Sequence, residues 1–290
     1  MMHPIAARLF VFLQRLLPKY LLTQIVYRMA RIRHVGYKNF LIRRFVGLYN
    51  IDVEELAHPV PDGFPTLNAF FTRALSPDAR AIDDDANAVV SPVDGTVSAA
   101  GRIERGKLFQ AKGLDYSLAD LLATDIADAD RFAGGSFTTI YLAPYNYHRV
   151  HAPLTGKLVS ATYVPGSLYS VNDATVRQLR DLFVRNERLV CQFDCPSGPF
   201  VLIFVGAMNV GTINTIWTGD IQPKKQGVVE SIDINRISAP PATERADTIG
   251  WFNMGSTVIL LAPPGGADFS ALTSGETVRM GQRIGSASAT

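Results

Sequence analysis

The first fifty residues combine large apolar side chains with arginine and lysine at helical spacing, as in "IAARLFVFLQRLLPKYLLTQIVYRMARIRHVGYKNFLIRRFVGLYN". Apolar positions that recur every three or four residues predict amphipathic helices. No stretch of this segment reaches the roughly 18 consecutive apolar residues that a membrane-spanning helix needs. The pattern therefore predicts helices that carry one apolar face and one basic face.

The pattern changes at about residue 88 to short runs rich in Val, Ile, Leu, Thr and Phe, separated by Pro, Gly, Asp and Asn. The clearest runs are "FTTIYLA", "RLVCQFD", "FVLIFVGAMNVGTI" and "STVILLA". Such runs between turn residues predict the strands of a β body. Three short helices are also predicted, at residues 70–75 after a cap at Thr66 or Asn68, at residues 118–127 and at residues 174–185.

These elements predict an α+β fold, with membrane-interfacial helices at the N-terminus followed by a mainly β body. We expect residues 1–63 to form the helical segment and residues 64–290 to form a β-rich catalytic domain. The stretches "SPVDGTVSAAG" and "HAPLTGKLVSA" share a proline, a glycine three residues later and an aliphatic residue two further on. This echo, with similar glycine spacing in "GETVRMGQRIGSASA", predicts a duplicated hairpin of barrel-sandwich character.

The formal net charge of +2 conceals an uneven distribution of charge. Nine of the 28 basic residues, and none of the 26 acidic ones, lie in the first fifty positions. Basic amphipathic helices bind at the membrane interface, with their cations among anionic headgroups. A nucleic-acid partner is not expected, because the aliphatic and aromatic content exceeds what phosphate binding requires. A basic face packed on the protein's own core and a mitochondrial targeting sequence remain alternatives.

The two cysteines, Cys191 and Cys195, are too few for a disulfide framework. Their spacing is not the C-x-x-C of redox or zinc sites. We interpret them as buried thiols, which favours a reducing compartment.

Candidate chemistry begins with two histidines, His148 and His151, in "YHRVHAP". No third metal ligand is evident, so no metal is expected. Histidine titrates near neutral pH and can act as a base, and Asp94 in "SPVDGTV" could orient it, although Asp-Gly is also a common turn. Asp94, His151 and Ser256 have the composition of a hydrolase triad, but Ser256 lacks the G-x-S-x-G elbow. A serine hydrolase of the membrane surface and a non-catalytic carrier module both remain open on these residues.

Five motifs together resemble one known family. They are "SPVDGTV", "YHRVHAP", "PGSLYSVN", "VGAMNVGTI" and "GWFNMGSTV". Taken in this order and spacing, the chain resembles the phosphatidylserine decarboxylases, which are pyruvoyl-dependent enzymes of phospholipid synthesis, from about residue 64 to residue 284.

The resemblance implies that the proenzyme cuts its own Gly255–Ser256 bond. With Asp94 orienting it, His151 would take the proton from Ser256, whose oxygen attacks the Gly255 carbonyl and converts the amide to an ester. β-Elimination and loss of ammonia would then leave an N-terminal pyruvoyl group made from Ser256. The products would be a large subunit of residues 1–255 and a small subunit of residues 256–290.

The resemblance also implies the reaction and its partners. The pyruvoyl group would form a Schiff base with phosphatidylserine and release CO₂ to give phosphatidylethanolamine, without a metal. His148 would help decarboxylation or proton transfer. The substrate pocket would be lined by Leu168, Tyr169, Ser170, Val171 and Asn172.

The expected partners are an anionic phospholipid membrane and the two subunits of the cleaved chain, with a homodimer as an option. The expected location is peripheral, on the cytoplasmic face of a bacterial inner membrane. An unprocessed, inactive homologue is the alternative that keeps the fold and loses the cleavage.

Overall fold

A computed structural model describes residues 4–124, 126–208, 212–224, 227–237, 239–253 and 256–288. The N-terminal segment consists of helices, as the sequence predicts: α1 (Pro4–Leu16), α2 (Lys19–Met29) and α3 (Val35–Tyr49). Within the described residues no single helix is long and apolar enough to cross a membrane. Residues Ile5–Leu16 and Lys19–Met29 pass that test only as a pair, which is bent by 85°.

Helix α1 has two different faces. Ala7, Val11 and Gln14 recur at helical spacing and are buried. On the other side, Leu9 and Leu16 are 57% and 68% exposed. The helix therefore packs on the body of the protein along one stripe and leaves an apolar stripe uncovered.

The remaining helices are short: α4 (Leu67–Phe71), α5 (Leu118–Leu122), α6 (Ile126–Asp130), α7 (Asp173–Val176) and α8 (Leu182–Arg185). Thr66 caps α4 by accepting from the Ala69 N–H at 3.0 Å, so this helix begins and ends earlier than the predicted residues 70–75. The prediction of one continuous helix at residues 118–127 and another at residues 174–185 is wrong. Ala123 and Asp181 adopt left-handed φ values of 53° and 58°, which interrupt each helix.

Within the described ranges, eighteen strands make up the body. They are β1 (Ala88–Val90), β2 (Gly95–Arg102), β3 (Lys107–Ala111), β4 (Leu114–Ser117), β5 (Ser136–Leu142), β6 (Arg149–His151), β7 (Gly156–Val164), β8 (Arg188–Cys195), β9 (Gly198–Val205), β10 (Ile213–Thr215), β11 (Gly219–Ile221), β12 (Glu230–Ser231), β13 (Ala242–Thr243), β14 (Thr248–Phe252), β15 (Ser256–Ala262), β16 (Ala267–Asp268), β17 (Thr277–Val278) and β18 (Arg283–Ala287). Every pairing between them is antiparallel. The α+β architecture, with helices first and a mainly β body after them, is as predicted.

The largest sheet has nine strands in the order β12-β7-β8-β9-β15-β5-β2-β17, with β13 also pairing with β7. Strand β15 lies near its centre, and all seven of its residues are buried. Full burial explains why the part of β15 after Ser256 and Thr257 is continuously apolar and does not alternate with polar residues. Each buried Val, Ile or Leu side chain contributes about 1.5–3 kcal/mol to folding.

A second, four-stranded sheet has the order β11-β10-β14-β6, and β1-β18-β16 and β3-β4 form two smaller sheets. The chain leaves β14 in the four-stranded sheet and enters β15 in the nine-stranded sheet. Asn253 is the last described residue before this crossing, and Ser256 is the first one after it. The crossing is therefore held on both sides by paired strands.

Candidate active site

Ser256 is the first residue of β15 and lies opposite Leu142 of β5. It is fully buried, and its Oγ has no hydrogen-bond partner among the described residues. A buried hydroxyl without a partner costs about 1–3 kcal/mol, so its presence calls for an explanation. Gly255, the other half of the predicted cleavage site, lies outside the described residues, as does Met254.

The chain before the crossing is held by backbone hydrogen bonds. The Phe252 N–H donates to the carbonyl of His148 at 3.0 Å, and the Asn253 N–H donates to the carbonyl of Thr212 at 3.2 Å. The strand that leads into the crossing is therefore tied directly to the histidine motif.

His148 is fully buried, and its ring centroid lies 4.0 Å from that of Phe71. Its Nδ1 is 2.8 Å from the Asn146 carbonyl oxygen, which can only accept, so Nδ1 carries the proton. Nε2 has no partner among the described residues. Burial, and then the charge of Arg73, lower the pKa of His148 to about 3. The ring is therefore neutral at pH 7 and offers an unused lone pair.

His151 ends strand β6. Its Nδ1 donates to the Ala246 carbonyl at 2.6 Å, and its Nε2 accepts from the hydroxyl of Tyr147 at 2.9 Å. Burial lowers the pKa of His151, although the Ala246 hydrogen bond opposes the shift. Burial also raises the pKa of Tyr147 to about 12, so the phenol keeps its proton. His151 is thus a neutral base whose lone pair faces Tyr147.

The carboxylate of Asp94 is bound by Arg80 and by the backbone of Met280. Its two carboxylate oxygens accept from Arg80, at 3.1 Å from Nε to Oδ1 and 2.5 Å from Nη2 to Oδ2, and Oδ1 also accepts from the Met280 N–H at 2.8 Å. The described residues contain no hydrogen bond between Asp94 and His151, or between Ser256 and either of them. A backbone hydrogen bond joins the motifs "SPVDGTV" and "YHRVHAP": the His151 N–H donates to the Pro92 carbonyl at 2.9 Å. The charge of Asp94 still acts on His151, as one of the lesser causes that raise its pKa.

Arg73 is a site residue that the sequence reasoning missed. Its buried guanidinium donates to the carbonyls of Tyr145 at 3.1 Å and Asn146 at 3.3 Å, which lie in the turn before His148. Burial lowers the pKa of Arg73 to about 10, so it remains charged at neutral pH. The sequence feature that could have indicated Arg73 is its position as a single arginine within the largely apolar run "FFTRAL".

The predicted substrate loop is held at its middle by one buried amide. Asn186 accepts from the Tyr169 N–H at 3.0 Å and donates to the Tyr169 carbonyl at 2.8 Å and to the Gly206 carbonyl at 2.9 Å. This side chain therefore links the motifs "PGSLYSVN" and "VGAMNVGTI". Leu168 and Val171 of the same loop are also buried.

Helices α1 and α2 hold the same loop from the other side. The buried side chain of Gln14 accepts from the Ser170 N–H at 2.8 Å. The Tyr20 hydroxyl donates to the Gly166 carbonyl, and the Lys19 ammonium lies 4.3 Å from the ring centroid of Tyr169. At the end of the loop, Asn172 accepts from the Thr175 N–H at 3.0 Å and caps α7.

Comparison with known proteins matches nearly the whole chain. The family profile described as phosphatidylserine decarboxylase matches residues 67–286, and a profile described as PSD matches residues 9–50. The phosphatidylserine decarboxylase proenzyme of Methylococcus capsulatus is 44% identical over 280 residues, which is 96% of each chain. The proenzyme of Alcanivorax borkumensis is 46% identical over 96% of each chain, and that of Chromobacterium violaceum is 46% identical over 96% of this chain and 99% of its own.

Proposed function

Since the chain belongs to the phosphatidylserine decarboxylase family, we propose that it cleaves itself between Gly255 and Ser256 and that Ser256 becomes its pyruvoyl group. It is the proenzyme of a carboxy-lyase of phospholipid biosynthesis. The observation that carries the proposal is the Ser256 hydroxyl, which is buried at the first residue of a central strand and has no hydrogen-bond partner in the described part of the chain. Such a hydroxyl fits a group kept for reaction with its own upstream carbonyl.

In the proposed cleavage, the Ser256 Oγ attacks the carbonyl carbon of Gly255. A bond forms between Oγ and that carbon, the peptide C–N bond breaks, and the proton from Oγ ends on the freed nitrogen. His151 is the proposed carrier of this proton, because its ring is neutral and keeps a lone pair on Nε2. Asp94 is the proposed source of negative charge that favours the transient imidazolium.

Elimination follows from the resulting ester. The Ser256 Cα proton is removed, the Cβ–Oγ bond breaks, and residues 1–255 leave with a C-terminal carboxylate. Addition of water and loss of ammonia convert the new N-terminus of residues 256–290 to a ketone. That ketone supplies an electron-accepting carbonyl for a substrate amine whose neighbouring carboxylate departs as CO₂.

The two subunits are proposed to stay together after cleavage, because strands of the small subunit belong to sheets of the large one. Strand β15 pairs with β5 through Ser256 to Ala262 on one side, and with β9 through Thr257 to Leu261 on the other. Strand β17 pairs with β2, and β18 pairs with β1. Removing the small subunit would open the central sheet and expose its core.

His148 is the proposed proton-transfer residue of the decarboxylation. Its Nδ1–H is fixed on the Asn146 carbonyl, so any proton it gains or gives passes through Nε2. Burial and Arg73 lower the pKa of the ring, so Nε2 is unprotonated at rest, and it would take up a proton only once the negative charge of the bound substrate offsets Arg73. The protonated ring could then return that proton to the substrate carbon after CO₂ has left.

The substrate headgroup is proposed to bind along Leu168, Tyr169, Ser170, Val171 and Asn172. Support comes from the contacts of Gln14, Lys19 and Tyr20, which join this loop to α1 and α2. The outer side of α1 carries the exposed apolar residues Leu9, Phe12 and Leu16, with Arg8 and Arg15 also exposed. A helix of this kind lies in an anionic membrane interface and would present a lipid headgroup to the loop.

The proposed partner is therefore an anionic membrane that contains phosphatidylserine, at the cytoplasmic face of a bacterial inner membrane. The proposed boundary between the helical segment and the catalytic domain lies between residues 63 and 64.

A barrel-sandwich character of the body is also proposed. In its support, β2 and β7 begin at Gly95 and Gly156, the two glycines of the sequence echo.

The experiment compares Ser256→Ala with Thr257→Val. Both residues are buried, and both hydroxyls are without a partner among the described residues. Ser256→Ala should remain a single chain without decarboxylase activity, whereas Thr257→Val should still cleave. Cleavage in Ser256→Ala would refute the proposed site.

A further inference from the structure

Asn253 stands two residues before Gly255, and both ends of its buried side-chain amide are bound. Its Nδ2 donates to the Thr212 hydroxyl, and also lies 3.3 Å from Asp220 Oδ1. Its Oδ1 accepts from the Asn68 Nδ2 at 3.0 Å. Together with the backbone bond from the Asn253 N–H to Thr212, these contacts fix the chain just before the proposed cleavage site.

Asp220 is the acceptor on which this cluster converges. Its Oδ1 lies 2.7 Å from Asn214 Nδ2, 3.3 Å from Asn253 Nδ2 and 3.4 Å from the Thr212 hydroxyl. Strand register explains the convergence, because Asn214 of β10 lies opposite Asp220 of β11 on one side and Trp251 of β14 on the other. One carboxylate oxygen thus accepts from a side chain of β10, from the residue before β10 and from the residue after β14.

The N-terminal helical segment reaches the same cluster. The Arg31 guanidinium lies 3.7 Å from Asp220 Oδ2 and is stacked 3.5 Å from the ring centroid of Tyr27. The Asn68 N–H donates to the Ala30 carbonyl at 2.9 Å. The ion pair is partly exposed and contributes little by itself, so the hydrogen bonds around Asn253 carry the argument.

We propose that Asp220 and Asn253 are positioning residues for self-cleavage, which hold the upstream side of the Gly255–Ser256 bond in register with Ser256. This inference rests on the proposed function and deepens it. Attack of Oγ on the neighbouring carbonyl depends on near-contact geometry, and a displacement of about 1 Å can slow such a reaction by about 100-fold. The downstream side is fixed by β15, so the Asp220 cluster completes the alignment.

The proposal separates maturation from turnover. Before cleavage, the contacts of Asn253 restrain the chain while the Gly255–Ser256 bond is still intact. After cleavage, residues 253–255 form the free end of the large subunit and no longer restrain the new N-terminus at residue 256. A change in the cluster should therefore slow cleavage and leave the rate of decarboxylation per cleaved molecule unchanged.

The test uses the full chain with Asn253→Asp, Asp220→Asn and the double variant that exchanges the two residues. Asn253→Asp places two carboxylates about 3.3 Å apart. We expect it to slow self-cleavage at least tenfold in a time course after cell-free synthesis. The exchange restores one amide and one carboxylate, so it should cleave at least threefold faster than Asn253→Asp alone.

Two further measurements distinguish positioning from general stability. Decarboxylation per mole of cleaved chain should match the parent in all three variants. Asp115→Asn, which removes an exposed partner of Lys107 at 3.4 Å, is the control and should cleave at the parental rate. Parental cleavage in Asn253→Asp, or an exchange variant as slow as Asn253→Asp, would overturn the positioning role. Cleavage in Ser256→Ala would instead overturn the proposed site itself.

Discussion

The Nε2 atom of His151 lies 2.9 Å from the hydroxyl oxygen of Tyr147. Because Nδ1 of the same ring donates to the Ala246 carbonyl, Nε2 carries the lone pair and the phenol donates to it. The base proposed for self-cleavage is therefore occupied by Tyr147 in the uncleaved chain. In the proposed cleavage, Ser256 would have to displace Tyr147 from this lone pair.

Replacing Tyr147 with phenylalanine tests this competition. The change removes the hydroxyl and leaves the ring, so His151 Nε2 becomes available to Ser256. We expect Tyr147→Phe to cleave at the parental rate or faster, as followed by gel after cell-free synthesis. A block of cleavage would show instead that Tyr147 carries the proton between Ser256 and His151.

Alanine variants of the two histidines are expected to be blocked at different stages, one at self-cleavage and the other at decarboxylation. His151→Ala should remain uncleaved because it lacks the proposed base. His148→Ala should cleave and then lose decarboxylation by about 10²–10⁴-fold, the usual loss when an acid–base residue is removed. Chain cleavage and CO₂ release per cleaved chain are measured in parallel. An uncleaved His148→Ala together with a matured His151→Ala would reverse the assignment.

Glu187 gives a prediction about pH and stability. Burial raises the pKa of its carboxyl from 4.5 to about 7, although the Tyr163 hydroxyl donates to Oε2 at 2.9 Å. Between these two pH values the folded chain holds a proton that the unfolded chain has lost, so stability falls as pH rises from 4.5 to 7. Glu187→Gln keeps a hydrogen-bond acceptor for Tyr163 but does not ionise, so it does not cause this loss of stability.

Chemical denaturation of Ser256→Ala with and without Glu187→Gln measures the difference in unfolding free energy. It should be small at pH 4.5 and reach about 3 kcal/mol in favour of glutamine at pH 8, from about 1.4 kcal/mol for each pKa unit. The uncleaved background keeps maturation out of the comparison. A difference that does not change with pH would contradict the raised pKa.

The apolar side of α1 should bind the membrane. Replacing Leu9, Phe12 and Leu16 with glutamine leaves the buried stripe of α1 intact and removes the side chains proposed to enter the interface. We expect co-sedimentation with vesicles containing phosphatidylserine to fall about tenfold or more, because each apolar side chain lost costs on the order of 1 kcal/mol or more.

The control for this variant replaces Phe109 and Val228, which are 49% and 79% exposed on other parts of the surface, with glutamine. The control should bind vesicles as the parent does. Equal loss in both variants, or no loss in the α1 variant, would locate the membrane contact elsewhere.

The buried strands could be predicted from the sequence because their chemistry is local. The run "VILLA" is apolar throughout because every residue of β15 is buried, and Thr66 was a recognisable cap of α4. The interruptions at Ala123 and Asp181 were not predictable, because neither residue type marks a left-handed position in the way that glycine does.

The partners of the site residues depend on contacts between distant parts of the chain. His151 binds the carbonyl of Ala246, 95 residues later, and any residue type could supply that atom. Asp94 binds Arg80 through loops outside the strands, and Asn253 binds Asp220 beside a β10–β11 register that only the assembled sheet defines. The sequence could therefore propose reactive residues from their motifs, but it could not predict the groups that hold them.

The most direct test of the central claim is the intact mass of the purified protein under denaturing conditions. The account predicts two chains, residues 1–255 and residues 256–290, with the small chain lighter by one ammonia than a peptide that begins with serine. A single chain at the full sequence mass, or two chains divided at another bond, would contradict it.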